Sequence, residues 1–135
     1  MKLITRNTDY AIRALCFIAG GEKRINSVSE LVKGLKIPRP FLRKILQVLN
    51  KEGLLVSYKG KGGGFVLAVK PEKISIVDLI EIFQGALKIN ECLFRRSLCP
   101  NVRTCVLKKK IDDIEKYVVS KLRPITIASI SGKAG

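Results

Sequence analysis

The sequence predicts a mainly α-helical protein with one small β-hairpin. Three observations support this fold class. Apolar residues recur at helical spacing through most of the chain, two short strand-like segments flank a run of glycine and lysine, and glycine or proline follows the helical segments. A chain of 135 residues, of which 47% are hydrophobic, suits one compact domain with a buried core.

A first helix is predicted from Thr8 to Ala19, because apolar residues repeat there at i, i+3, i+4 and i+7 and two glycines follow. A short second helix should begin at the capping box Ser27–Glu30 and run to about Lys33. We expect Gly34 to end it by adopting the left-handed conformation. The repeating apolar positions of the first helix are Ala11, Ala14, Leu15 and Ile18.

A third helix should open at Pro38 or Pro40, since proline is tolerated in the first turn, and end at Gly53. Two amphipathic helices joined by a short turn, the second one basic on its outer face, are typical of a helix-turn-helix. An ordinary helical hairpin with a solvated charged face fits the same pattern. The inner face of the third helix carries Leu42, Ile45, Leu46 and Leu49, and its outer face carries Arg39, Arg43, Lys44 and Gln47.

Two strand-like segments, 54–58 and 65–68, enclose the sequence KGKGGG. They predict a hairpin with a basic, glycine-rich tip, which directly after a helix-turn-helix is a wing. Its lysines can meet phosphates, and its glycines let the backbone approach a duplex closely. A nucleotide-binding phosphate loop fits poorly, because no helix opens after Gly64 and the Gly-x-x-x-x-Gly-Lys-Ser/Thr pattern is absent.

The second half begins with a helix that is capped at Ser75–Asp78, runs through Phe83 and closes at Gly85. A long helix follows from Val106 to about Leu122, before Pro124 breaks it and a short apolar segment finishes the chain. A heptad-like seam on this helix favours a two-fold dimer, although packing on its own domain is the alternative. The seam residues are Leu107, Ile111, Ile114 and Val118.

This order predicts three parts within a single compact domain. Residues 1–85 form a winged helix-turn-helix DNA-binding domain, and residues 86–105 form a cysteine loop. Residues 106–130 form a dimerisation helix with a short C-terminal segment.

The net charge is +15, from 26 Lys and Arg against 11 Asp and Glu. Residues 1–70 contain 14 basic and 4 acidic residues, so the amino-terminal half is the better candidate for binding a polyanion. Nucleic acid is the first expectation and an anionic membrane surface the second. An enzyme is not expected, because the chain has no histidine, no paired-carboxylate constellation and no credible cofactor loop.

The start MKLITR reaches charge before any apolar core develops, and no apolar run is long enough to span a bilayer. We therefore expect a cytoplasmic protein without a membrane partner. In that compartment disulfides are rare, and clustered cysteines more often bind metal or do redox work. Three of the four cysteines cluster in the segment ECLFRRSLCPNVRTCVLKKK, at Cys92, Cys99 and Cys105.

Three motifs in this order resemble the Rrf family of bacterial winged-helix regulators, and its IscR-like and NsrR-like members in particular. The motifs are Thr8–Leu15 in the first helix, the wing sequence Gly60–Phe65, and the three cysteines before the long helix. The resemblance implies a homodimeric repressor or activator with an iron–sulfur cluster in each subunit. The chain departs from the family in two ways. Six residues separate Cys92 from Cys99, where the family usually has five or fewer, and Lys108 stands where IscR-like members have a histidine.

The resemblance implies that Cys92, Cys99 and Cys105 hold a [2Fe-2S] or [4Fe-4S] cluster, and that a fourth ligand completes it. Asp9 matches the position from which some NsrR-like members donate an aspartate to the other subunit's cluster. Asp9 has an alternative role, because a carboxylate in the first turn favours the helix dipole and Arg13 can pair with it. Cys16, the remaining thiol, fits a small buried hydrophobe better.

The cysteines also admit a zinc site or metal-free redox thiols, although the short Cys-x-x-Cys spacing typical of both is missing. Arginines within the segment can offset the charge of the thiolates or lie in solvent, and both interpretations stay open. These arginines are Arg95, Arg96 and Arg103.

The predicted function is a sequence-specific regulator that straddles a pseudo-palindromic operator in double-stranded DNA. Arg39 and Arg43 are candidates for base edges, and Lys44, Lys59 and Lys61 for phosphates. The resemblance implies that the cluster controls DNA affinity in response to nitric oxide, redox or iron–sulfur status. The alternative is a cluster-free winged-helix regulator that uses thiols, zinc or a small-molecule signal.

Overall fold

The computed structural model describes residues 3–22, 24–87 and 106–131. In these ranges the predicted fold class is confirmed, since six helices accompany a single two-stranded hairpin. A 3-10 turn at Pro71–Lys73 joins the hairpin to the fourth helix. The elements are α1 (Arg6–Gly20), α2 (Val28–Leu35), α3 (Arg39–Lys51), β1 (Leu55–Tyr58), β2 (Gly64–Leu67), α4 (Ile76–Gln84), α5 (Val106–Leu122) and α6 (Ile127–Ile130).

Helix α1 is the centre of the core and packs against α2, α3, α4 and α6. It begins two residues before the predicted start, because the Thr5 hydroxyl accepts a hydrogen bond from the Thr8 backbone N–H and caps the helix. The predicted apolar stripe is confirmed, since Ala11, Ala14, Leu15 and Ile18 are all buried.

The predicted end of α2 at Gly34 is wrong. The helix continues to Leu35, and Lys36 takes the left-handed conformation with φ 58° and ψ 32°. Gly34 is helical and lies against α1, where a Cβ would meet the Phe17 ring. The glycine therefore permits the close approach of two helices, and the turn is made by a lysine.

The hairpin β1–β2 is antiparallel, with Leu55 opposite Leu67 and Tyr58 opposite Gly64. Asn26, in the loop before α2, anchors it through two backbone hydrogen bonds with Phe65. The Asn26 N–H donates to the Phe65 carbonyl at 3.0 Å, and the Phe65 N–H donates to the Asn26 carbonyl at 2.8 Å. The wing, residues 55–67, is thus fixed to the loop that leads into the helix-turn-helix.

The C-terminal segment returns to the core as the short helix α6. The Ile76 N–H donates to the Ile125 carbonyl, and the Ile127 N–H donates to the Ile74 carbonyl, each at 2.9 Å. The side chain of Ile127 is fully buried and belongs to the same apolar cluster as α1 and α3. Residues 123–130 therefore pack with the winged-helix part, while the predicted division of the chain at residues 85 and 105 stays a prediction.

Helix α5 has the predicted bounds, yet it buries none of its side chains within the protomer. Leu107 is 59% exposed and Ile114 is 50% exposed. Among the described residues, no helix has the length and apolarity needed to cross a bilayer.

Candidate nucleic-acid interface and ligand positions

A groove of about 430 Å³ lies between α3 and the wing. Residues from the outer face of α3 form one wall and residues from the end of β1 form the other, with Phe65 and Val28 half-buried between them. Among the described residues that line this groove, none is acidic, while Arg43 and Lys59 face it from opposite walls. The groove lining comprises Val28, Arg43, Gln47, Asn50, Ser57, Tyr58, Lys59, Gly63, Gly64 and Phe65.

Arg39 lies in the first turn of α3, beyond the groove lining. Its Nη2 donates a hydrogen bond to the Ser29 Oγ at 3.1 Å, so α2 helps to orient the guanidinium at the protein surface. Arg39 and Arg43 are four residues apart on a helix, which places both on one face. In helix-turn-helix proteins this end of the second helix is the part that contacts base edges.

The three predicted phosphate-binding lysines take different positions. Lys59 lines the groove at the end of β1. Lys61 is exposed at the tip of the wing, and Lys44 is exposed on α3 outside the groove lining. The structure therefore places Arg43 and Lys59 in the lining of one groove and leaves Lys44 and Lys61 exposed on the surface around it.

Asn50 and Tyr58 line the groove but were not among the predicted DNA contacts, and Gln47 was assigned only to the outer face of α3. The spacing of Arg43, Gln47 and Asn50 at i, i+4 and i+7 was the available signal. Tyr58 carried no such signal, because its position depends on how the hairpin packs beside α3.

Asp9 lies in the first turn of α1, where its Oδ2 forms an ion pair with the Arg13 Nε at 3.0 Å. The pair is open to solvent, with 43% of the Asp9 side chain and 59% of the Arg13 side chain exposed. Asp9 also borders a shallow hollow of about 490 Å³, together with Ile4, Thr5, Arg6 and Tyr10. This arrangement agrees with an ion pair in the first helical turn that favours the helix dipole. It also leaves the carboxylate accessible from outside the protomer.

A hydrogen-bond network that the sequence did not reveal holds this turn against the end of α4. The Gln84 Oε1 accepts from the buried Thr8 hydroxyl at 2.6 Å and from the Thr5 backbone N–H at 3.0 Å. The Gln84 Nε2 donates to the Leu3 carbonyl at 3.2 Å. The amino end of α1 is therefore fixed to the last residue of α4, after which the cysteine segment follows in sequence.

Of the other residues considered as ligands, the structure describes Cys16 and Lys108 but not the cysteine segment. Burial raises the pKa of the Cys16 thiol, which favours its neutral form and agrees with a small hydrophobe. The Lys108 Nζ pairs with the Asp112 Oδ2 at 2.8 Å. Among the described residues, no three His, Cys, Asp or Glu side chains converge as a metal site. Cys92, Cys99, Cys105, Arg95, Arg96 and Arg103 lie outside the described residues.

Comparison with known proteins gives consistent matches. The Rrf2 family model, described as an iron-dependent transcriptional regulator, matches residues 4–133. An HTH-type transcriptional regulator of Aquifex aeolicus (strain VF5) is 37% identical over 123 residues, which cover 90% of this chain and 85% of that protein. The HTH-type transcriptional regulator NsrR of Shouchella clausii (strain KSM-K16) is 32% identical over 105 residues, covering 77% of this chain and 67% of that protein.

Solved structures share the fold over almost the whole chain. IscR of T. potens has a TM-score of 0.74 at 26% identity, covering 100% of this chain and 89% of that one. CymR, the global cysteine regulator of B. subtilis, has a TM-score of 0.76 at 21% identity, covering 97% of both chains. At the identity of CymR the likeness shows the fold alone.

Proposed function

Because the chain belongs to the Rrf2 family of transcriptional regulators, it is a DNA-binding regulator and not an enzyme, and we propose that it is a homodimer whose affinity for an operator depends on an iron–sulfur cluster. The groove between α3 and the wing is the observation that supports DNA binding by this face. It places Arg43 and Lys59 on facing walls, and none of its described lining residues is acidic. A regulator of the chromosome acts in the cytoplasm, and we place this one there.

In this proposal α3 is the recognition helix. Arg39 and Arg43 contact base edges in the major groove, where an arginine can grip guanine with two hydrogen bonds and discriminate by about 1–3 kcal/mol. Lys44, Lys59 and Lys61 are exposed around this face and contact phosphates. The Ser29 hydroxyl supports the role of Arg39, because a guanidinium held before binding loses less entropy on binding.

The seam of α5 supports a dimer, because Leu107 and Ile114 are exposed and Ile111 and Val118 are only partly buried. A second copy of the chain presents the same seam, so two α5 helices can cover each other in an isologous interface. Burial of each apolar side chain favours association by about 25 cal/mol per Å² of apolar area removed from water. A two-fold dimer then presents two recognition helices to the two halves of a pseudo-palindromic operator.

The donor set fits an iron–sulfur cluster, since three thiolates and a carboxylate are ligands that cluster iron accepts. Cys92, Cys99 and Cys105 would hold it, with Asp9 donated from the other subunit. The accessibility of Asp9 supports this choice, and the raised pKa of Cys16 disfavours the remaining thiol. A bound cluster would supply reactivity toward nitric oxide and oxidants. Gln84 and Thr8 would keep the turn that carries Asp9 in place.

The test is operator affinity with and without the cluster. The operator is selected from random duplexes by the anaerobically purified protein, whose absorption spectrum, iron and sulfide are measured. Binding is then compared with a variant in which Cys92, Cys99 and Cys105 are serine. We expect an affinity difference of several-fold to about a hundredfold, which is the usual range of allosteric coupling. Equal affinities of a cluster-bearing wild type and the serine variant would contradict the cluster switch but not DNA binding.

A cluster-free Rrf2 regulator is the second candidate, and two observations favour it. Lys108 stands at the position of the histidine of IscR-like members and is paired with Asp112, and the gap between Cys92 and Cys99 is longer than is usual in the family. In this candidate the thiols act by oxidation, bind zinc, or leave control to a small molecule. If anaerobically prepared protein is colourless and free of iron and still binds its operator tightly, that result would support the cluster-free regulator.

A further inference from the structure

We propose that Gln47 and Asn50, which line the groove between α3 and the wing, donate hydrogen bonds to phosphates of the DNA strand that passes between the recognition helix and the wing. The inference deepens the DNA-binding function. It does not depend on the iron–sulfur cluster. It assigns a role to two amides that the charge pattern of the sequence does not single out.

The placement of the two amides is the first argument. Arg43, Gln47 and Asn50 follow one another at i, i+4 and i+7, so they form a single line along α3 that faces Tyr58 and Lys59 across the groove. A wing that follows the adjacent minor groove or its backbone lies on the other side of one DNA strand from the recognition helix. That strand must then pass between the helix and the wing, where the groove lies.

Distance along α3 is the second argument. Asn50 is eleven residues after Arg39, which is about 16 Å along the helix axis at a rise of 1.5 Å per residue. The major groove is about 12 Å wide. If the amino end of α3 meets base edges and the helix axis crosses the groove, the end that carries Asn50 therefore reaches the backbone that borders it.

The chemistry of the lining is the third argument. A non-bridging phosphate oxygen accepts hydrogen bonds, and the groove offers donors on both walls besides the base-reading Arg43: the amides of Gln47 and Asn50, the hydroxyl of Tyr58 and the ammonium of Lys59. Among the described lining residues no carboxylate would repel a phosphate. The lining therefore suits the sugar–phosphate backbone, whatever the sequence of bases on it.

Replacing the two neutral amides distinguishes hydrogen bonding to phosphates from base reading and from charge neutralisation. Gln47→Ala and Asn50→Ala are each measured by fluorescence anisotropy against the selected operator and an unrelated duplex, over a series of salt concentrations. We expect each variant to bind both duplexes about tenfold more weakly, since a hydrogen bond to a charged partner is removed. The salt dependence should stay unchanged, because no charge is removed and no fewer counterions are released.

Three further variants serve as comparisons. Lys59→Ala, on the facing wall, should weaken binding and lower the salt slope by about one, because one phosphate is no longer neutralised. Asn50→Asp, which keeps the size but adds a negative charge, should weaken binding more than Asn50→Ala. Ser120→Ala, a neutral exposed position on α5 outside the groove lining, should change nothing. Because Gln47 and Asn50 are exposed, the thermal midpoints of their variants should match the wild type.

The outcomes decide the proposal. A variant whose preference changes at one base pair, with unrelated DNA bound as before, would identify Gln47 or Asn50 as a base reader and overturn the phosphate role. Unchanged affinity for both duplexes would show that neither amide donates to a phosphate and would overturn the proposal. Tight operator binding by the wild type in the same series keeps either failure distinct from a failure of the DNA-binding function.

Discussion

Gln84 and Thr8 show how single side chains fix the turn that carries Asp9. The Thr8 hydroxyl is buried and has Gln84 as its acceptor at 2.6 Å, across 76 positions of sequence. Asp9 follows Thr8 directly, so Gln84 at the end of α4 holds the backbone turn that presents the Asp9 carboxylate. The resemblance to the family implied Asp9 as a ligand, but Gln84 carried no sequence signal, because its partners are set by the packing of α1 on α4.

We expect Gln84→Leu to lower the free energy of unfolding by about 1–3 kcal/mol, because the buried Thr8 hydroxyl and the Thr5 N–H lose their common acceptor. Chemical denaturation measures the change. Gln47→Leu is the matched control, since it makes the same replacement on the exposed face of α3 and should cost less than about 0.5 kcal/mol. Equal effects of the two variants would contradict the structural role of Gln84.

Asp9→Ala separates the two roles of that carboxylate. The exposed ion pair with Arg13 is worth only about 0.3–0.5 kcal/mol, so neither Asp9→Ala nor Arg13→Ala should change the thermal midpoint by more than a few degrees. If Asp9 is a ligand, the cluster absorbance of Asp9→Ala should decay faster under anaerobic dilution, while Arg13→Ala retains it. Identical decay in the two variants would leave Asp9 with the ion pair alone.

At the scale of elements, the wing depends on two adjacent glycines, Gly63, where a Cβ would overlap the Tyr58 carbonyl, and Gly64. Gly64 has φ 154°, and a Cβ there would overlap the backbone of Asn26, which anchors the hairpin through Phe65. The sequence predicted the hairpin from its glycines but did not reveal this close approach. The predicted end of α2 is also wrong, because Gly34 does not end the helix but lies against Phe17 within it.

Gly64→Ala should displace the wing from Asn26, lower the free energy of unfolding by about 1–3 kcal/mol and weaken operator binding. Gly62→Ala is the matched control. Gly62 also has a positive φ of 80°, but a Cβ there meets nothing within 4 Å. It should therefore cost only the conformational strain of about 1–2 kcal/mol, leave the backbone anchor intact and perturb DNA affinity less. A Gly64 variant with the affinity of the Gly62 variant would argue against the anchor.

At the scale of the whole molecule, α5 contacts α4 but leaves Leu107 and Ile114 of its apolar seam exposed. It buries none of its side chains in the protomer, whereas the four-residue α6 places Ile127 at the centre of the core. The chain thus leaves the winged-helix part through α5 and returns to it through α6. A second copy of α5 is the cover that the proposed function assigns to the exposed seam.

Ile114→Glu should convert the proposed dimer to a monomer, because two seams that face each other would then bury two unpaired carboxylates. Sedimentation at several protein concentrations measures the mass, and anisotropy should show weakened operator binding, since a monomer binds only one half-site. Lys116→Glu, an exposed position on the same helix outside the seam, is the control and should stay dimeric. A monomeric wild type at micromolar concentration would contradict the dimer directly.

The sequence by itself determined the type and order of helices α1 to α5, the apolar stripe of α1, the bounds of α5 and the hairpin. These features depend on periodicity, caps and turn residues, which act between residues a few positions apart. Only the tertiary structure decided the contacts between distant segments, namely Gln84 with Thr8, Asn26 with Phe65, and α6 with the core. It also decided which side chains face the groove between α3 and the wing. The physical reason is that such contacts depend on how amphipathic elements pack together, and local sequence signals do not encode that arrangement.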